Sequence, residues 1–178
     1  MIILINGAFG VGKSAVAHCL AKQLPGASLF DPEWLGFLLQ RLALRTVEDF
    51  QDLACWRRGT VAGIRFLRRF RPTVVVPMAF SNEAYLSEVR DGIGRSDSHV
   101  LHFCLMAPLP VILQRLERRS VGSPASLAWQ RRRAAECCLA HQSAFFREHI
   151  PTDGLNPQAV AQALVQRIKQ GRPQGGAA

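Results

Sequence analysis

Ile2-Ile3-Leu4-Ile5 is a continuous apolar run, mostly β-branched and halted at Asn6-Gly7, the pattern of a strand buried on both faces. From Val11 to Leu24 apolar residues recur at Val16, Leu20 and Leu24 and stop at Pro25-Gly26, which predicts a helix. Ser28-Leu29-Phe30 predicts a short strand that delivers Asp31-Pro32-Glu33 at its carboxyl end, and helical spacing resumes from Trp34 to Leu44. Further on, a helical wheel places Leu53, Trp56, Gly63, Ile64, Phe66, Leu67 and Phe70 on one side and Arg57, Arg58, Arg65, Arg68 and Arg69 on the other. This predicts an amphipathic helix with the apolar arc buried; Trp56 reads as a core anchor, with substrate stacking as the alternative.

Thr73 to Pro77 is a second fully apolar strand, followed by a helix from Asn82 to Ile93 and a strand from His99 to Met106. Pro110 to Ser120 and Pro124 to His141 are predicted helices, His149-Ile150-Pro151 a last strand, and Pro157 to Lys169 a closing helix capped by Asn156. Five strands alternating with helices imply right-handed βαβ units and an α/β three-layer sandwich. The expected form is a five-stranded parallel sheet of order 2-3-1-4-5, of the P-loop small-kinase type, in a single domain over residues 1–170 with a disordered tail at 171–178. In such sheets ligands bind beyond the carboxyl ends of the strands, where Gly7 to Ser14, Asp31, Pro77-Met78 and Met106-Ala107 fall.

The 178 residues and 48% hydrophobic content suit one compact domain that buries about 70% of its unfolded surface, without staples or metal. Lys and Arg outnumber Asp and Glu by 22 to 13, almost all of them arginine, which favours an anionic ligand. Aromatic-basic interleaving and nucleic-acid recognition motifs are lacking, so no nucleic-acid partner is expected. Five cysteines, with Cys137-Cys138 adjacent in a helix, argue against a disulfide framework and for a reducing compartment. With no membrane-length apolar run and no signal peptide, the expected location is cytoplasmic.

Gly7-Ala8-Phe9-Gly10-Val11-Gly12-Lys13-Ser14 matches G-x-x-x-x-G-K-[ST], with a strand before it and a helix after. In that context the glycines let backbone N–H groups turn in around phosphate oxygens, Lys13 reaches the β and γ phosphates, and Ser14 holds Mg²⁺. The expected cofactors are therefore ATP and Mg²⁺. The usual second magnesium carboxylate is replaced after Val74-Val75-Val76 by Pro77-Met78, and a guanine-reading N-K-x-D is missing, which leaves a small kinase-like protein rather than a GTPase switch.

Asp31, at the ligand edge, is a candidate general base or magnesium anchor; the alternative is that it caps the helix beginning at Pro32. Arg115, Arg118 and Arg119 lie on one helical arc opposite Ile112 and Leu116, with Arg131-Arg132-Arg133 after the Gly122-Ser123-Pro124 break. They are candidates for a mobile lid over about residues 115–135, with Arg115, Arg118 and Arg119 as catalytic cations and Arg115 as a nucleotide contact; a solvated basic face is the alternative. Cys137, Cys138 and His141 have the spacing of helical metal ligands, but without a second cluster core packing is preferred.

These residues resemble the tunicamycin-resistance proteins, a small P-loop family. The likeness rests on Ile5-Asn6-Gly7-Ala8-Phe9-Gly10 through Lys13, Asp31-Pro32-Glu33, Trp56-Arg57, Val76-Pro77-Met78, His102-Phe103, Leu105-Met106-Ala107, His149-Ile150 and Thr152-Asp153, in order over nearly the whole chain. The resemblance implies an ATP-binding protein, related in fold to nucleoside monophosphate and shikimate-type kinases, that protects a cell against the nucleoside antibiotic tunicamycin. The expected activity is phosphorylation of a hydroxyl on tunicamycin or a similar compound; the alternative is ATP-dependent sequestration without chemistry. The chain ends at Gly175-Gly176-Ala177-Ala178, short of the C-terminal end linked to membrane association in some relatives, so none is expected here.

Overall fold

The computed structural model describes residues 1–36, 49–119, 124–146 and 148–170. Five strands, β1 (Ile2–Gly7), β2 (Ala27–Leu29), β3 (Thr73–Pro77), β4 (Val100–Met106) and β5 (His149–Pro151), form one parallel sheet of order β2-β3-β1-β4-β5. The helices are α1 (Lys13–Gln23), α2 (Ala54–Arg68), α3 (Glu83–Gly94), α4 (Leu109–Arg119), α5 (Pro124–Ala140) and α6 (Pro157–Gln170). Short 3₁₀ turns occupy Phe50–Asp52 and Ala144–Phe146. This is the expected kinase-type α/β fold and strand order.

The central strand is apolar throughout because both its faces are covered. Ile3 and Ile5 pack with Val16 and Leu20 of α1, Leu116 of α4 and Leu164 of α6, while Ile2 and Leu4 pack with Trp56 and Ile64 of α2 and Leu86 and Val89 of α3. The cap predicted at Asn156 is in place, its Oδ1 accepting from Ala159 N, and Asn82, expected as the first helical residue, instead caps α3 with Oδ1 accepting from Ala84 N. Residues 33–36 are helical, and the rest of the helix expected to reach Leu44 lies outside the described residues, as does the tail 171–178. Among the described residues no helix is long and apolar enough to cross a membrane.

The wheel assigned to α2 needs correction. Trp56, Thr60 and Ile64 are buried, but Phe66 and Phe70 are 61% and 67% exposed and pack on each other, while Arg57 is only 9% exposed. At roughly 100° per residue, Phe66 lies about 120° from the centre of the buried arc and Arg57 only about 60°. Arg57 is buried with its charge answered: Nε donates to Glu88 at 2.6 Å, Nη1 to the Gln51 carbonyl at 2.7 Å, and the guanidinium lies 4.0 Å from the Tyr85 ring centroid. Trp56 is the core anchor expected of it, and its Nε1 donates to the Pro32 carbonyl at 2.9 Å, fixing the turn after β2.

Candidate active site at the carboxyl edge of the sheet

The glycine-rich loop runs from the end of β1 to the start of α1. Gly12, at φ 106°, opens α1 in a conformation L side chains rarely adopt, with no atom within 4 Å of where a Cβ would stand. Gly7 is needed for a different reason: a Cβ there would sit 2.9 Å from the Leu105 carbonyl. The loop is thus pressed against the neighbouring strand on one side and open in front of the N-terminus of α1 on the other. That helix has no side-chain cap, so its first N–H groups and the positive end of its dipole face the opening. The space and the donors fit a chain of phosphates.

Lys13 is buried, with Nζ donating to the Ala8 carbonyl at 3.0 Å and lying 5.2 Å from the Phe9 ring centroid. Burial lowers its pKa, opposed first among nearby carboxylates by Glu33 and less by Asp31. Phe9 in turn meets Trp129 of α5 edge-on, at 5.2 Å between centroids. Ser14, in the first turn of α1, is exposed. Its hydroxyl and the Asp31 carboxylate are hard oxygen donors of the kind Mg²⁺ takes.

Asp31 is half-buried, and its Oδ1 accepts from Glu33 N at 3.0 Å, which is the capping role. Glu33 was missed as a candidate. Burial raises its pKa, against the pull of Lys13, and Asp31, Arg119 and Asp49 act on it too. A carboxylate held poorly solvated beside a lysine is the environment of a functional base. The clue in the sequence was its place two residues after Asp31 at the same strand end.

The arginines separate by role. Arg115 Nη2 donates to the Thr152 carbonyl at 2.8 Å, and Nη1 to Thr152 Oγ1 and to the Val11 carbonyl at 3.1 Å, so it braces the loop from behind. Arg119 is exposed and acts electrostatically on both Lys13 and Glu33; Arg118 is exposed on the same turn. Arg131 pairs with Glu117 at 2.6 Å, and Arg133 with Asp49 at 2.9 Å and Glu136 at 2.5 Å.

The end of β3 is apolar, as its sequence foretold: Met78 is 2% exposed and Phe80 fully buried. Asn6 clasps Phe80, accepting from its N–H at 2.9 Å and donating to its carbonyl at 3.0 Å. His141 Nε2 lies 2.8 Å from the same carbonyl, and Cys137 is buried against Ala79, so this pair packs and hydrogen-bonds under the site. Burial drops the His141 pKa to about 4.

A tunicamycin resistance protein from Deinococcus radiodurans has the same fold at a TM-score of 0.74, with 33% identity over 94% of each chain. The chain belongs to the tunicamycin-resistance family. The chain shares its architecture with small kinases. A gluconokinase from Sinorhizobium meliloti aligns at a TM-score of 0.62 and 17% identity, covering 96% of this chain and 97% of its own. A shikimate kinase from Acinetobacter baumannii, solved with shikimate, aligns at 0.64 and 15%, covering 97% and 95%. These two likenesses establish fold alone. Protein-family models and curated protein sequences give no match.

Proposed function

We propose that the chain transfers the γ-phosphoryl group of Mg-ATP to a hydroxyl of tunicamycin or a similar nucleoside-like compound, as a cytoplasmic enzyme. The observation that carries this is the cluster at one strand edge: buried Lys13, poorly solvated Glu33, Asp31 and Arg119 in one another's field, in front of a loop open at Gly12.

Loop N–H groups and Lys13 hold the β and γ phosphates, with Lys13 exchanging the Ala8 carbonyl for phosphate oxygen. Ser14 and Asp31 are the residues that would hold Mg²⁺, which neutralises phosphate charge when bound. The acceptor oxygen bonds to the γ-phosphorus as the bond to the β–γ bridging oxygen breaks and ADP leaves. Glu33 takes the hydroxyl proton, while Arg119, with Arg118 beside it, places positive charge over the migrating group. Arg115 takes part by positioning, through Val11 and Thr152. Of the lid expected over residues 115–135, the part that closes on the loop is α5, through Trp129 against Phe9, while Arg115 stays fixed to Thr152.

A second reading, ATP-dependent sequestration of the drug, is favoured by the apolar end of β3, where Met78 stands in place of a metal-holding carboxylate. Tunicamycin in large molar excess, incubated with protein and Mg-ATP and followed by mass spectrometry, separates the two. Phosphotransfer gives phosphorylated product well beyond one equivalent; sequestration returns unmodified drug.

A further inference from the structure

The motif over Gly7–Ser14 prescribes glycines, a lysine and a hydroxyl but leaves position 9 open, and here that position is a phenylalanine. A loop so rich in glycine has few side chains with which to hold its own shape, so the elements around it must hold it. From behind, Arg115 of α4 and Thr152 after β5 both donate to the Val11 carbonyl. In front stands Phe9, half-buried on the same core as Leu127 of α5. Its ring meets the Trp129 indole of α5 edge-on, with the planes at 71° and the centroids 5.2 Å apart.

The same ring serves Lys13. A buried ammonium is tolerated only where its charge and its donors are met. One N–H goes to the Ala8 carbonyl at 3.0 Å, and the Phe9 centroid lies 5.2 Å from Nζ, inside the roughly 6 Å over which a cation is drawn to an aromatic face. Glu33 and Asp31 add attraction through their fields, and Arg119 opposes it. Ala8 and Phe9 are neighbours in the chain, so where that unit sits, the ammonium sits.

Placement matters because the lysine head is a point charge on a flexible four-carbon stem, and a charge assists phosphate binding and transfer only from a fixed position. The ring of Phe9 limits where the head can go. The edge-on contact with Trp129, a geometry aromatic pairs prefer, limits where the ring can go.

We propose that Phe9 is a positioning residue for the phosphate-binding lysine: its ring holds the Lys13 ammonium at the loop, Trp129 holds the ring, and the seating of α5 thereby sets the strength of nucleotide binding. This rests on the reading that the loop binds the phosphates of Mg-ATP. It adds a control of affinity that the loop motif does not contain, exerted by Trp129 through Phe9.

Two measurements test it, one with nucleotide and one without. Calorimetry with Mg-ATP compares the wild type with Phe9→Leu, which keeps the bulk and loses the ring, Phe9→Tyr, which keeps the ring, Trp129→Leu, and the double variant Phe9→Leu/Trp129→Leu. Phe9→Leu should weaken binding about threefold to tenfold and Phe9→Tyr should restore it. Trp129→Leu should weaken it by a smaller factor, and the double variant should be no worse than Phe9→Leu alone, because the indole acts through the ring. Without nucleotide, NMR of lysine-labelled protein reads the ring directly: the chain has three lysines, Lys13, Lys22 and Lys169, and the Lys13 signal is assigned by its loss in Lys13→Met. The ring-current shift on the Lys13 ε-methylene should vanish in Phe9→Leu, persist in Phe9→Tyr and change in Trp129→Leu, with Lys22 and Lys169 unmoved. Additive losses in the double variant, Phe9→Tyr as weak as Phe9→Leu, or a Lys13 signal indifferent to Trp129→Leu overturns the proposal, and the last of these decides it even where Phe9→Leu does not fold. A wild-type protein with the expected lysine shifts that fails to bind Mg-ATP overturns the phosphotransfer reading instead, and with it the claim on affinity, while the contact between ring and ammonium stands.

Discussion

Arg115 and Thr152, far apart in sequence, are joined by two hydrogen bonds, from Nη2 to the carbonyl at 2.8 Å and from Nη1 to Oγ1 at 3.1 Å, and both side chains also donate to the Val11 carbonyl. The end of β5 and the middle of α4 thereby meet on the back of the glycine-rich loop. A residue expected to face the nucleotide instead fixes the backbone that would bind it.

Replacing Arg115 with Ala should therefore act on stability as well as on ligand. It leaves the Thr152 and Val11 carbonyls without their charged donor, a loss of about 2 kcal/mol. In a chain of this size that lowers Tm by about 4–8 °C, and Mg-ATP affinity falls with it. Lys, a point charge without the planar fork, should restore only part of either. Thermal unfolding with and without nucleotide checks this; an unchanged Tm would return Arg115 to the role of a ligand contact.

Lys13 gives the opposite sign. Its burial lowers its pKa, so the native state holds its ammonium at a cost the unfolded chain does not bear. Above the folded pKa the native state has released this proton while the unfolded chain keeps it, so this contribution to stability rises with pH. Lys13→Met keeps the stem and removes the charge. We expect it to fold with at least wild-type stability at neutral pH while calorimetry finds Mg-ATP binding lost. Retained ATP affinity would remove the lysine from the phosphate site.

Acid should destabilise the protein through two imidazoles, His141 buried and His102 half-buried. Burial drops both His102 and His141 from 6.5 to about 4, with Arg90 and His141 also acting on His102. Below pH 6.5 the unfolded chain takes up protons that the native state refuses until about pH 4, so stability present at neutral pH is lost as pH falls through that window. The shift corresponds to on the order of 3 kcal/mol for each imidazole. His102 Nε2 is buried with no hydrogen-bond partner among the described residues, so His102→Phe should flatten the acid limb at little cost at pH 7. Urea unfolding from pH 4 to 8 reads the difference; an unchanged slope would exclude His102 as its source.

Much of this fold was legible because the signals were local. β1 and β3 are unbroken apolar runs, and Asn82 and Asn156 stand where a helix needs a cap. The α2 wheel failed at Phe66 and Arg57 because sidedness was read from residue type, whereas burial followed angle, and a charge can enter a core when Glu88 and Tyr85 are there to meet it. At the site the loop was readable as a contiguous motif. The partners of Arg115 and Arg133 were not, because Thr152 and Asp49 lie dozens of residues away and nothing in the local pattern couples them. Glu33 was obscured by Asp31, two positions earlier and equally acidic; only the direction of the capping hydrogen bond tells them apart.

That distinction yields the last prediction. Asp31 uses Oδ1 to accept from Glu33 N, a bond Asn makes as well as Asp, so Asp31→Asn keeps the helix start and removes only the charge. Asp31→Ala loses both and should cost about 1 kcal/mol of stability. Glu33 is the carboxylate that acts most strongly on Lys13, and its raised pKa means that ionising it costs stability as pH rises through the interval above its ordinary value. Glu33→Gln should therefore be at least as stable as wild type at neutral pH, bind Mg-ATP normally, and transfer phosphate about 10²-fold more slowly, the usual contribution of a positioned base. Asp31→Asn should retain most of the turnover, with its residual loss in the dependence on Mg²⁺ concentration if the carboxylate is a metal anchor. Initial rates of ADP formation with tunicamycin at saturating ATP, taken across a magnesium titration, separate the two residues. A hundredfold loss in Asp31→Asn at saturating magnesium, with Glu33→Gln unaffected, would reverse the assignment and make Asp31 the base.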